Sequence, residues 1–214
     1  MFSEFKELYK LNQSRGNAAL GVLLLSKSPQ CVGYVTLKFE GVVDLDKELA
    51  EYKLDDIYYF VGHTQAPTSA AQSFNHRTSH PFTYGSWIVA HNGILTNFDK
   101  LKQDVPVGRY NIVDSSIIPA MLHQRCTKSD DITSVTQVLG ELEGTHATWI
   151  YNIQTQRLYI SRCGSVLYAN QDKCVFSSVP TEDMEELQDG TLYIKLDKIC
   201  SVSKFKNNSP FYIV

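Results

Sequence analysis

Asn92-Gly93 and Asp114 are the residues of this chain whose types best suit chemistry. An asparagine side-chain amide and a glycine backbone N–H can converge on a developing negative oxygen, the task of an oxyanion hole, and glycine admits the close approach that a side chain would block. The same dipeptide between apolar runs is also the strongest short-range signal for a type I′ hairpin turn. Asp114 stands just before Ser115-Ser116 and an apolar helical pattern, so it reads as a helix N-cap. An aspartate at the rim of a pocket also binds a ligand ammonium group, and the two roles are compatible. His63, His76, His80 and His91 raise the question of a metal, but only His76 and His80 are four apart, and Asn75, Arg77, Thr78, Ser79 and Pro81 around them make poor helix. They read as pocket-lining or internally bonded histidines, and no metal is assigned.

The five cysteines, Cys31, Cys126, Cys163, Cys174 and Cys200, form no C-x-x-C pair. They read as reduced, mostly buried thiols, which favours a cytoplasmic setting. With 43% hydrophobic and 20% charged residues and a formal charge of −3, the composition is that of an ordinary globular protein. Lys and Arg total 20 against 23 Asp and Glu and are scattered, which excludes a nucleic-acid polycation. The apolar run Ala18 to Leu25 is too short to span a membrane and follows no basic leader, so no membrane partner is expected.

The elements that must position these residues follow from periodicity. Phe2, Phe5, Leu8, Tyr9 and Leu11 predict a short amphipathic helix ended by Arg15-Gly16-Asn17. Leu20 to Ser26 and Val32 to Phe39 predict a hairpin across Ser28-Pro29-Gln30. Asp44 caps a short helix to about Tyr52, and Ile57 to Thr64 is a strand. From Gln65 to Gly85 no period holds, and a long irregular stretch rich in histidine and small polar residues reads as a functional loop. Trp87 to Asn97 is a buried strand broken at Asn92-Gly93, Phe98 and Leu101 open a short helix, and Ile117, Ile118, Met121 and Leu122 mark another after Asp114. A helix from about Ile132 to Leu142 precedes strands at Ala147 to Ile153, Arg157 to Arg162, Ser165 to Ala169, Cys174 to Ser178, Thr191 to Leu196 and Ile199 to Val202. With no repeat, linker or boundary, the chain is expected to be one α+β layered domain over residues 1–214.

Taken together, Gly62-His63-Thr64-Gln65-Ala66-Pro67-Thr68, Ser79-His80-Pro81-Phe82 and Val89-Ala90-His91-Asn92-Gly93-Ile94-Leu95-Thr96-Asn97 resemble the successive active-site motifs of class II glutamine amidotransferases. Ser14-Arg15-Gly16-Asn17-Ala18-Ala19-Leu20-Gly21 is similar to the arginine-glycine segment of that family, and Val113-Asp114-Ser115-Ser116-Ile117-Ile118 to its aspartate motif. Gly144-Thr145-His146-Ala147 and Arg162-Cys163-Gly164-Ser165-Val166-Leu167 resemble its C-terminal sheet region, so the resemblance runs from about residue 2 to residue 200. It implies a four-layer αββα sandwich, the N-terminal-nucleophile hydrolase fold. It also implies a type-2 domain that hydrolyses the glutamine side-chain amide and passes ammonia to an acceptor synthetase or transferase subunit, with no cofactor. In that chemistry a cysteine at the mature N-terminus attacks the amide and its own α-amine relays protons. Carried over, Asn92 and Gly93 hold the oxyanion, Asp114 takes the substrate α-amino group, Gln65, Thr68 and His80 lie on the substrate-binding side, and Arg15 lies near the nucleophile.

Two departures shape the expectation. The chain begins Met1-Phe2-Ser3 at what resembles the first helix, so the family's Cys-Gly-Ile strand, roughly the first one or two dozen residues of such a domain, is expected upstream of Met1. Gln65 stands where many members carry an arginine that pairs with the substrate carboxylate, and losing a charge-assisted fork weakens such a bond by on the order of 1.5–3 kcal/mol. Arg77 in the same loop is a candidate to compensate. The alternative is a catalytically dead homologue acting as a glutamine-like ligand-binding or protein-interaction module. A third reading is a hydrolase using Ser69 or Cys163 as nucleophile.

Overall fold

The first helix carries aromatic side chains at helical spacing because it must cover a sheet. In the computed structural model, which describes residues 1–27, 33–66, 74–105, 113–126, 132–195 and 199–205, α1 spans Phe2–Asn12. Phe2 and Phe5 lie against Phe60, with ring centroids 5.5 and 5.4 Å apart. Asn12 at its end accepts a bond from Thr64 Oγ1 at 2.8 Å. The described residues divide into two compact units, Met1–Pro81 and Phe82–Val214.

In the first unit β1 (Ala19–Ser26) lies between β2 (Tyr34–Glu40) and β3 (Ile57–Gln65) in an antiparallel sheet. A central strand buried along its length explains the unbroken apolar run that β1 shows in sequence. Leu20, Val22 and Leu24 share one face, by the two-residue period of a strand, and pack with Tyr9, Leu45 and Leu49. Leu45 and the neighbouring α2 (Leu45–Glu48) are held by Asp44, whose carboxylate accepts from the Asp46 N–H at 3.0 Å. The expected hairpin and the Asp44 cap are therefore present, with the helix shorter than the sequence suggests. Ser28, Pro29, Gln30 and Cys31 lie outside the described residues.

The second unit is built on a six-stranded antiparallel sheet in the order β12-β11-β7-β6-β5-β4. Its strands are β4 (Phe82–Tyr84), β5 (Trp87–Leu95), β6 (Gly144–Asn152), β7 (Arg157–Cys163), β11 (Thr191–Lys195) and β12 (Ile199–Lys204). Helices α3 (Phe98–Asp104), α4 (Ile117–Arg125) and α5 (Ile132–Glu141) supply Leu101, Ile118, Met121, Val135, Val138 and Leu139 to a core shared with Trp87, Val89 and Leu95. Between β7 and β11 the chain makes a small sheet of β8 (Tyr168–Asn170), β9 (Val175–Ser177) and β10 (Glu185–Glu186). Periodicity missed β4 and β10, which are three and two residues long and too short to establish a pattern.

Two local expectations are corrected. Asn92-Gly93 is not a hairpin turn, because β5 runs on through it in unbroken register with β6, Asn92 opposite Ala147 and Gly93 opposite His146. Asp114 does not cap α4; it opens a single 3-10 turn, Asp114–Ser116, and its carboxylate bonds outside that turn as well as within it. Among the described residues no helix is long and apolar enough to cross a membrane.

Candidate active site

Alternation along β5 decides what each of its polar residues faces. Trp87, Val89, His91, Gly93 and Leu95 share the side that carries the helices, and Asn92 falls on the other. Asn92 is half-buried, and its side-chain amide donates to Ser178 Oγ at 3.5 Å, while its carbonyl accepts from Ser165 Oγ at 3.1 Å. Both hydroxyls come from the excursion between β7 and β11. Gly93 has φ +148°, and a Cβ placed there would sit 2.0 Å from the Thr145 carbonyl oxygen and 2.8 Å from His91 Nε2. Only glycine fits, so the backbone at this point is shaped by a neighbour as well as by its own dihedral.

Asp114 is brought against the same strand. Its Oδ2 accepts from the Leu95 N–H at 2.9 Å, and its Oδ1 accepts from the Ser115 N–H at 2.8 Å. Ser115 Oγ lies 3.3 Å from Oδ1 and 2.9 Å from His91 Nδ1, and His91 Nε2 is 3.1 Å from the Thr145 carbonyl oxygen. Burial holds the His91 imidazole below the ordinary histidine value, against the opposing pulls of Asp114 and of the Thr145 carbonyl. A carbonyl only accepts, so in the neutral ring Nε2 carries the proton and Nδ1 is an acceptor. Asn92, Gly93 and Asp114 thus lie near one end of β5, with Asp114 linked through Ser115 to His91; the sequence reading did not single out Ser115, and named His91 only among pocket-lining or internally bonded histidines. The signal for Ser115 was its place directly after the aspartate; the signal for His91 was its place one strand residue before Asn92, on the opposite side.

The remaining candidates belong to the first unit. The turn after α1 carries Arg15, which is exposed, against the end of β3: a Cβ on Gly16 would meet the Ala66 nitrogen at 2.3 Å, and the Ala18 N–H donates to the Gln65 carbonyl at 3.0 Å. Gln65 is buried and hydrogen-bonded at both ends of its amide. Its Oε1 accepts from the His80 N–H at 3.2 Å and meets His80 Nδ1 at 3.1 Å, and its Nε2 donates to the Thr78 carbonyl at 3.2 Å. His80 in turn stacks on His63 with centroids 4.0 Å apart. Lys38, drawn down to about 8 by burial, donates to the His76 and Ser79 carbonyls at 2.8 and 2.7 Å. Gln65 therefore latches the loop that holds His80, a task an arginine with no acceptor oxygen could not do. Gln65→Leu leaves the buried His80 N–H and Thr78 carbonyl without these bonds and is expected to cost about 1–3 kcal/mol, read as a lower urea midpoint; an unchanged midpoint contradicts the latch. Thr68 and Ser69 lie outside the described residues, and Arg77 is exposed.

Cys163 is buried in the helix-covered core and is pushed up to about 12, first by burial, then by the charge of Asp189, with Arg162 opposing. A thiol in that state has almost no thiolate at neutral pH, which removes Cys163 as a nucleophile. Iodoacetamide is expected to leave Cys163 unmodified in the native protein while half-buried Cys126 reacts slowly; equal labelling of the two would contradict this.

His146, fully buried opposite Gly93, has both ring nitrogens without a hydrogen-bond partner among the described residues and stacks on Phe205 at 5.4 Å. Burial, then the neighbouring His91, lowers it from 6.5 to about 3. The unfolded chain takes up this proton below its ordinary value and the folded chain does not, so stability present at neutral pH is lost as pH falls between those two values. The loss is up to about 1.4 kcal/mol per pH unit. His146→Leu is expected to flatten that slope in urea titrations between about pH 7 and about pH 5; an unaltered slope would rule His146 out as its source. Among the described residues no group of three metal-ligating side chains converges.

No protein-family model matches the chain. It is 29% identical over 135 residues to the glutamine–fructose-6-phosphate aminotransferase (isomerizing) of Streptomyces coelicolor, a match covering 61% of this chain and 21% of that protein. The chain thus spans about a fifth of the length of that curated relative. Among solved structures, it aligns with the glutamine phosphoribosylpyrophosphate amidotransferase of B. subtilis at TM-score 0.64 and 15% identity, over 94% of this chain and 46% of that one. It also aligns with a glutamine aminotransferase class-II domain protein of Silicibacter pomeroyi at TM-score 0.55 and 15% identity, over 89% and 96% of the two chains. The chain has the α+β N-terminal-nucleophile hydrolase fold of these domains, and in sequence as in fold it is similar to class II glutamine amidotransferases.

Proposed function

We propose that residues 1–214 act as one class II glutamine amidotransferase domain, which binds glutamine, supports hydrolysis of its side-chain amide and hands the ammonia to an acceptor. The observation that carries this reading is the bond from the Leu95 N–H to Asp114, which sets a carboxylate two strand residues beyond the Asn92-Gly93 amide pair. In this reading the Asn92 side-chain amide and the Gly93 N–H stabilise the oxyanion that forms as the amide carbon is attacked. One such donor is worth about 2.7–4 kcal/mol of barrier. Asp114 accepts the substrate α-ammonium group. Gln65, His80, Arg15 and Thr68 are assigned to substrate binding in the first unit, Gln65 acting through the Thr78 to His80 segment that it latches. The attacking thiolate and α-amine of the class belong to an N-terminal cysteine, and the groups assigned in this chain are those that hold the substrate and the negative oxygen.

The similarity to a protein whose name joins glutamine to a sugar-phosphate acceptor supports an acceptor transferase or synthetase as partner, as a further domain or a separate subunit. Calorimetry tests the reading at its base. Glutamine and glutamate should each give saturable heat at one site, and glutamine should release ammonia once the class nucleophile is in place. Absence of heat with both ligands would overturn the proposal and leave a protein-interaction role.

A further inference from the structure

Asp114 has two oxygens and several bidders for them. Oδ2 is taken by the Leu95 N–H, and Oδ1 by the Ser115 N–H, while the Ser115 hydroxyl stands 3.3 Å from Oδ1 and 2.9 Å from His91 Nδ1. A hydroxyl has one proton to give. If it turns to the carboxylate, it fills an acceptor site that an ammonium ligand would use; if it turns to the imidazole, that site stays open.

The ring decides. His91 is 2% exposed and Ser115 4%, so no solvent competes for either. The Thr145 carbonyl at 3.1 Å fixes the His91 proton on Nε2, and the lone pair on Nδ1 then faces the Ser115 hydroxyl at the shorter of its two distances. We infer that His91 and Ser115 are positioning residues for Asp114: the neutral imidazole draws the Ser115 proton away from the carboxylate and keeps Oδ1 open to a ligand ammonium group. The same pair ties the 3-10 turn to β5 on the near side of Asn92-Gly93, as the Leu95 bond ties it on the far side. The inference rests on the reading of Asp114 as the ammonium site and adds to it the groups that keep that site open.

The test is a double-mutant cycle on glutamine binding by calorimetry, with glutaramate, which lacks the α-amino group, as control ligand. His91→Gln keeps a donor for Thr145 and removes the acceptor facing Ser115, so the hydroxyl turns to Asp114. Glutamine affinity is expected to fall about five- to tenfold and glutaramate affinity to hold. Adding Ser115→Ala to His91→Gln removes the competing proton and should restore most of the loss. His91→Asn, which keeps an acceptor near Nδ1, should bind glutamine as the unmutated chain does, and it serves as second probe should His91→Gln fail to fold. A double variant as weak as His91→Gln or weaker, equal losses for glutamine and glutaramate, or a weak His91→Asn would each overturn the inference and leave the glutamine reading standing. Absence of glutamine binding by the unmutated chain would instead sink the glutamine reading itself, and the inference with it.

Discussion

Asp114→Asn is expected to lose glutamine binding by about ten- to a hundredfold or more, the worth of a hydrogen bond to a charged group at about 1.5–3 kcal/mol. The charge is only part of the loss. Both carboxylate oxygens accept backbone N–H groups, from Leu95 and from Ser115. An asparagine offers one oxygen and one NH2, so one of these N–H groups must face a donor. The variant is therefore also expected to be less stable by about 1–3 kcal/mol. Glutamine calorimetry and urea unfolding on the same preparation separate the two effects. Wild-type affinity in a folded Asp114→Asn protein would remove Asp114 from the ammonium site, whatever its stability.

The second large effect is expected at Gly93. Gly93→Ala forces a Cβ to within 2.0 Å of the Thr145 carbonyl at a positive φ of 148°. The obstacle is backbone oxygen in the paired strand β6, which has no rotamer to change. Steric overpacking and the strained dihedral together are expected to cost about 2–6 kcal/mol, seen as a marked fall in thermal midpoint or as failure to fold. Asn92→Ala provides the contrast. Among the described residues its amide reaches only a hydroxyl at 3.5 Å, so truncation should leave the fold nearly intact. In an ammonia-release assay with the class nucleophile present it should lower kcat by about 10²–10³. A stable Gly93→Ala protein would contradict the close packing at this point, and an unimpaired Asn92→Ala enzyme would contradict the oxyanion role.

Residues with strong local reasons to be where they are were legible in sequence. Phe2, Phe5 and Tyr9 announced α1, Asp44 announced α2, and the apolar spacing of Ile117 to Leu122 announced α4. The turn-like reading of Asn92-Gly93 failed because local propensity cannot see β6, which pairs with β5 across the whole dipeptide and turns a hairpin signal into a strand interior. Asp114 was misread as a cap for a related reason. One of its two backbone partners, the Leu95 N–H, is distant in sequence, and a cap rule searches only the next turn. Gln65 looked like a lost arginine when compared with the family pattern. In the fold it is a side chain that both donates and accepts, and it uses both ends on the Thr78 to His80 segment. Motif order singled these residues out by resemblance; the hydrogen bonds that hold each of them depend on contacts no single stretch contains.

The pairing of β5 with β6 also bears on how the chain reaches this structure. Leu95 meets Gly144 only after α3, α4 and α5 have been interposed, whereas β6 and β7 are joined by a tight turn at Asn152 to Arg157. Closing the long helical loop costs chain entropy before it returns any contact, and closing the short one costs little. The β6–β7 hairpin is thus available as an early template, and β5 docks onto it late. On this argument β5 joins its sheet late, so substitutions along it should speed unfolding more than they slow folding in stopped-flow kinetics.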